Sequence, residues 1–251
     1  LSSSLLSKEL SYSYFDIFEI FLTDITKKND KIIACTQTPN NLFYIKDILQ
    51  EYPNAMVINM VRDNRDVLLS QKNKWKRKFL GANKIPFFES IRSFFNYHPF
   101  TTSFLWKSSL KLTDEFKDHP RLKIVRFEDF LTSPENKCRE MCDFLSIEFN
   151  NCMLSVPNIG SSTEYDKSKL SIDSTKVFKW KKGGLNNSEI FITQLISNTF
   201  MKKHGYKKKN FLFPPLGVLF YLVIFPIKSF FALFFNLGRL TSFITLIKHQ
   251  K

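Results

Sequence analysis

The run at residues 55–61 (AMVINMV) is almost continuously apolar and stops on Arg62. A strand that is apolar on both faces must be covered on both faces, as in a parallel sheet layered between helices. Similar runs occur at residues 31–36 (KIIACT) and 122–127 (LKIVRF). Elsewhere the apolar spacing is helical, over roughly 42–51, 63–77, 99–117, 134–145 and 188–203. The fourth of these has Ser133 as a cap and Pro134 at its first position. This order predicts an α/β fold: helices layered on a parallel sheet, with right-handed crossovers. With 251 residues, 43% of them hydrophobic, the chain has room for one domain and an appendage.

The strand end is the first place to look for chemistry, because ligands of open α/β sheets sit beyond the carboxyl ends of the strands. Arg62 stands there, Asp63 can cap the next helix, and Ser70 follows Arg62 by a little over two turns, on the same side. A guanidinium fork and a hydroxyl so placed can clamp a phosphate. In a second reading, Arg62 pairs with Asp66, Ser70 is solvated, and the cations of 72–78 complement the helix dipole. Spacing leaves both open. The net charge of +14 favours an anionic partner without choosing among nucleic acid, a phosphorylated nucleotide and a membrane.

Further along, VFKWKKGG places Lys181 and Lys182 before Gly183 and Gly184. Ammonium groups beside a backbone without side chains suit an anion; a solvated basic loop, with Trp180 in the core, is the other reading. Residues 150–176 read as a long loop. Arg126 ends the strand expected in the LKIVRF run and is expected to pair with Glu128 or Asp129, carboxylates that point apart on an extended backbone. Cys35, Cys138, Cys142 and Cys152 have no metal-binding spacing, so free thiols in a reducing compartment and no metal site are expected.

Residues 211–227 (FLFPPLGVLFYLVIFPI) carry no charge, and FFALFFNLG follows Lys228 and Ser229. Interrupted by Pro214, Pro215 and Pro226, this stretch is marginal for a straight span, which needs about 20 residues. A monotopic or re-entrant helix is expected, with the lysines of MKKHGYKKKN beside the anionic cytoplasmic leaflet. A helix packed on the domain is the alternative. The expected division is an α/β domain at 1–209 and an apolar, membrane-associated tail at 210–251.

Three stretches resemble the sulfotransferase family that uses 3′-phosphoadenosine 5′-phosphosulfate: CTQTPNNLFYIKDILQEYPNAMVINMVRDNRDVLLSQ, VRFEDFLTSPENKCREMCDFLSIEF and VFKWKKGGLNNSEIFITQLISNTFMKKHGY. They stand in the family's order. The resemblance implies a three-layer parallel sheet of the P-loop nucleotide-binding type. It also implies that Arg62 and Ser70 hold the donor's 3′-phosphate, with Lys181, Lys182, Gly183 and Gly184 closing over it. The implied activity is sulfuryl transfer from this donor to a hydroxyl or amine of a carbohydrate, lipid or small molecule, leaving adenosine 3′,5′-bisphosphate.

The chain departs from the family at two points. Thr36 and Gln37 stand where the family commonly has Glu-Lys or Gly-Lys, so the catalytic base is not identified; of His98, His119, His204 and His249, His98 is the best candidate. The family's glycine-rich phosphosulfate loop is missing from the seven glycines, among them Gly81, Gly160, Gly205, Gly217 and Gly238. Because the chain opens on Leu1, an N-terminally truncated and inactive fragment, incomplete at that end of its sheet, is expected. The alternatives are a basic nucleic-acid-binding module and a catalytically inactive membrane-associated scaffold of the same fold. Nucleic acid is not the expected partner.

Overall fold

The computed structural model describes residues 12–77, 79–80, 83–155 and 172–248. Gly81, Gly160, His249 and most of the expected loop, 156–171, lie outside the described residues. The chain divides after Ala55 into two compact units, Leu1–Ala55 and Met56–Lys251, and the apolar tail belongs to the second.

In the first unit, helix α1 (Tyr14–Lys28) begins at a capping box. The Ser13 hydroxyl accepts from the Asp16 amide at 3.1 Å, and the Asp16 carboxylate accepts from the Ser13 amide at 2.8 Å, satisfying two donors at the helix start. A 3₁₀ turn, Pro39–Tyr44, leads into α2 (Ile45–Glu51), which buries Ile45 and Leu49. The strand expected at 31–36 does not form, and Ile32 is 98% exposed. Among the described residues this segment pairs with no strand, and an extended segment without ladder partners has nothing to hold it as one.

The second unit contains the other two expected strands. β1 (Val57–Val61) and β4 (Leu122–Arg126) pair in parallel, from Val57 opposite Leu122 to Val61 opposite Arg126. The connection between them carries α3 (Asn64–Lys72), the short antiparallel pair β2 (Phe79–Leu80) and β3 (Asn83–Lys84), α4 (Phe87–Asn96) and α5 (Pro99–Glu115). After β4 come α6 (Phe127–Thr132), α7 (Pro134–Leu145), α8 (Asn187–Lys203) and α9 (Gly217–Lys248). The α/β class expected from the alternation therefore forms around a small parallel sheet.

Several local expectations need adjusting. The helix expected to reach 77 ends at Lys72, and a separate turn, Lys74–Lys76, follows. Pro134 opens α7 as expected, but the Ser133 side chain makes no capping bond. The backbone after Arg126 enters α6 at once instead of staying extended. α9 continues through Pro226, so the proline that weakened the case for one long helix lies inside it.

Val61, Trp106, Leu110, Met201 and Tyr206 form the core where β1, α5 and α8 meet. Against it sits a buried carboxylate. Glu128, 3% exposed, accepts from the Asp63 amide at 2.9 Å and from the Tyr206 hydroxyl at 2.9 Å, tying the start of α6 to the end of β1. Glu128→Ala should leave the Asp63 amide buried and unpaired and the Tyr206 hydroxyl with only a long bond to the Val61 carbonyl at 3.4 Å, lowering unfolding free energy by ~2 kcal/mol in denaturant titration of the full chain. Asp129, on the solvent side of α6, pairs with Arg126 at 3.5 Å, and Asp129→Ala should cost below about 1 kcal/mol.

Candidate anion site at the end of strand β1

Asp63 caps α3, its carboxylate accepting from the Arg65 amide at 2.9 Å. The same carboxylate takes the Arg65 side chain on both oxygens, Nε at 2.9 Å and Nη2 at 2.6 Å. Arg65 Nη1 donates to Gln194 Oε1 at 2.9 Å, and its guanidinium lies 3.9 Å from the Trp180 ring centroid. Arg65 is thus spent inside the protein. Arg62 faces the other way, a quarter exposed, against the Phe127 ring at 4.7 Å. Its Nη2 donates to the Lys176 carbonyl at 3.3 Å and lies 3.7 Å from Asp66 Oδ2, the pairing foreseen in the second reading of the sequence.

The segment 176–184 runs along one face of α3. Beside the Arg62 contact with Lys176, the Trp180 amide donates to Asp66 Oδ1 at 2.8 Å, and Gly184 lies against Leu69. A Cβ on Gly184 would stand 2.6 Å from Leu69 Cδ1, and its φ of +88° is one that side chains disfavour. Trp180 is buried, so the core reading of that residue holds, while Lys181 and Lys182 remain exposed. Lys181 Nζ lies 4.7 Å from the Phe178 ring centroid. The structure thus brings Gly184, at the end of the 181–184 loop, to α3, which carries Ser70 and starts just after Arg62.

The sequence reading missed Arg77 and the tie of Asp66 to the loop. Arg77 Nη2 donates to Ser70 Oγ at 3.2 Å, so Ser70 is not simply solvated; the seven-residue spacing, two helical turns, was the available signal. Asp66 lies midway between Arg62 and Ser70 on the same face and anchors the loop. Lys72, taken with its neighbours for a dipole complement, pairs instead with buried Glu189 at 2.8 Å.

His98 requires a correction. It caps α5, its Nδ1 accepting from the Phe100 amide at 3.3 Å, and its Nε2 meets the Tyr221 carbonyl at 3.1 Å, where it must donate. Burial, helped by the Lys228 charge, pushes its pKa down to about 4. With both ring nitrogens engaged inside the protein, it offers no lone pair to a substrate, and its role is structural. His119 Nδ1 accepts from the Arg121 amide in a turn, and His204 lies beside Asp114 at 3.4 Å, so neither replaces it.

Burial pushes the Asp66 carboxyl up to about 6, with Asp63 and Glu128 adding to the rise against the Trp180 amide and Arg62. A carboxyl whose folded pKa exceeds its unfolded value contributes stability below about 4 that is lost as pH rises through about 6, here ~3 kcal/mol at most. In urea titrations at a series of pH values, Asp66→Asn should flatten the decline between those two points.

The Sulfotransferase family model matches residues 5–151, more than half of the chain, including Arg62 and Ser70 but not the 181–184 loop. No curated relative matches. Among solved structures, the chain is similar to the sulfotransferase domain from the curacin biosynthetic pathway, with 17% identity and a TM-score of 0.49 over 78% of this chain and 69% of that one. It is also similar to the sulfotransferase domain of the Synechococcus PCC 7002 olefin synthase, with 17% identity and a TM-score of 0.48 over 73% of this chain and 63% of that one. On the family match, which spans both strands and the Arg62 turn, the chain belongs to the sulfotransferase family.

Proposed function

We propose that this chain supplies the nucleotide-binding part of a sulfotransferase that moves a sulfuryl group from 3′-phosphoadenosine 5′-phosphosulfate to a hydroxyl or amine acceptor. The observation that supports the reading is an outward Arg62 at the end of β1, with the 176–184 segment laid along α3 beside it and Arg77 bonded to Ser70 on that helix. Arg62 Nε is buried with no hydrogen-bond partner among the described residues, so the guanidinium has donor capacity that the protein does not use. Such a set fits a phosphate dianion. Arg62 and Ser70 would bind the 3′-phosphate, Lys181 and Lys182 would supply charge from the loop, and Gly183 and Gly184 would let backbone amides come close.

These groups bind and orient the donor; they do not hold the transferring group. No glycine precedes Gly81, β1 passes to α3 through Arg62 and Asp63, and β4 passes into α6 directly. Among the described residues no strand leads into a glycine-rich turn for the phosphosulfate, which would stabilise charge on the leaving phosphate. Uniform binding without such transition-state contacts gives affinity without rate. The chain as given therefore binds adenosine 3′,5′-bisphosphate and transfers no sulfate alone. The exposed apolar side chains of α9 and the lysines before it support residence on the cytoplasmic face of a membrane, α9 contacting the bilayer.

Calorimetry with the full chain in detergent tests the reading. Arg62→Ala should weaken adenosine 3′,5′-bisphosphate binding by about 2–4 kcal/mol, with a smaller loss for Ser70→Ala. Adenosine 5′-monophosphate should bind both variants as it binds the parent. Equal losses for the two nucleotides, or displacement by any oligonucleotide at low salt, would overturn the assignment.

A further inference from the structure

By composition, α9 can cross a membrane: Gly217–Arg239 has 23 residues and a mean hydropathy of 2.2. Its surroundings say otherwise. Val218, Tyr221, Phe225, Lys228, Ala232 and Phe235 are half-buried at alternating three- and four-residue spacing, the signature of a helix packed along one seam. The seam is occupied along its length. Asn186 Nδ2 donates to the Tyr221 hydroxyl at 2.9 Å, Phe231 and Phe235 stack near Phe95 at 5.0 and 5.1 Å, and Arg92 Nη1 donates to Asn236 Oδ1 at 3.0 Å. Arg239 reaches Glu89 at 3.0 Å, so α4 runs antiparallel beside α9.

Lys228, the midpoint of the 23-residue stretch, decides the orientation. Its ammonium donates to the carbonyls of Phe94 and Tyr97, both at 3.0 Å, closing the C-terminal end of α4. If α9 spanned the bilayer alone, this ammonium would leave two unpaired carbonyls and stand at the centre of the hydrocarbon. If α9 spanned with its neighbours attached, Glu89, Arg92 and Arg239 would enter with it. The opposite arc has neither difficulty. Leu219, Phe220, Val223, Ile227, Phe230 and Leu237 are 48–70% exposed and form an unbroken apolar strip. Leu212, Phe213 and Leu216, 97%, 82% and 88% exposed, extend it toward exposed Lys207 and Lys208, which match an anionic headgroup layer.

We propose that α9 lies in the plane of an anionic bilayer surface, the Leu219-to-Leu237 arc in lipid and Lys228 turned into the protein; this rests on the membrane contact proposed above. The test uses the full chain with Cys35→Ser and Cys152→Ser, both exposed positions, and a single new cysteine at Leu219, Ile227 or Leu237 carrying a fluorophore. Flotation with phosphatidylcholine/phosphatidylserine vesicles reports binding. Nitroxides at shallow and deep lipid positions report depth. In-plane docking gives several-fold stronger quenching by the shallow nitroxide at all three positions. Flotation with the deep nitroxide strongest at Ile227 and weakest at both ends would show a spanning helix and overturn the orientation while keeping the membrane contact. No flotation would remove the membrane contact and the orientation together. Unquenched probes on a chain that dimerises with concentration would show that a second copy covers the strip, and would likewise overturn the proposal.

Discussion

The second unit is arranged around a guanidinium that has no access to water. Arg65 is 1% exposed and finds two oxygens on Asp63, one on Gln194 and the face of Trp180. Burying such a cation without this set would be costly, and the set draws on the β1–α3 turn, the 176–184 segment and α8 at once. A buried pair of this kind is a weak source of stability, yet it dictates geometry: the turn has to take one shape for the fork to close. With Arg65 directed inward, Arg62 is left at the strand end with its side chain outward, while its carbonyl accepts from the Trp106 indole at 2.9 Å.

A second consequence is a local excess of carboxylates. Asp63 is neutralised by Arg65, and Glu128 accepts two hydrogen bonds but faces no cation as close. Asp66 is left with one amide and a long approach from Arg62, too little to offset the burial that, with Asp63 and Glu128 nearby, pushes its carboxyl up. The arginine is therefore only partly committed to its protein partner. An anion with several oxygens in the same plane can compete for it on better geometric terms than one carboxylate oxygen at 3.7 Å.

The C-terminal helix extends the same economy of polar groups to an apolar element. Four polar side chains of α9, those of Tyr221, Lys228, Asn236 and Arg239, each bond to another element or its cap along the seam. What faces away is almost purely aliphatic and aromatic. A helix that reads as hydrophobic on all sides thus becomes two-sided once the protein occupies one stripe, and amphipathicity here belongs to the packed structure.

Read alone, the sequence determined the elements whose signals are local. The β1 and β4 runs, the Asp63 cap and Pro134 at the start of α7 follow from periodicity and capping, which depend on residues within a turn or two. It also carried the family resemblance, since that rests on the order of short motifs. It could not decide between Arg62 as clamp and Arg62 as ion pair, because the deciding partners lie 114 residues away, at Lys176 and, through Asp66, at Trp180. It overestimated KIIACT, whose apolarity is strand-like but whose backbone has no ladder to join among the described residues. It favoured His98 as a base because an exposed and a buried histidine look alike in a sequence; the carbonyl that takes its proton belongs to Tyr221, on α9. Only tertiary structure assigns such roles, since a buried donor or acceptor is defined by a partner that chain distance does not reveal.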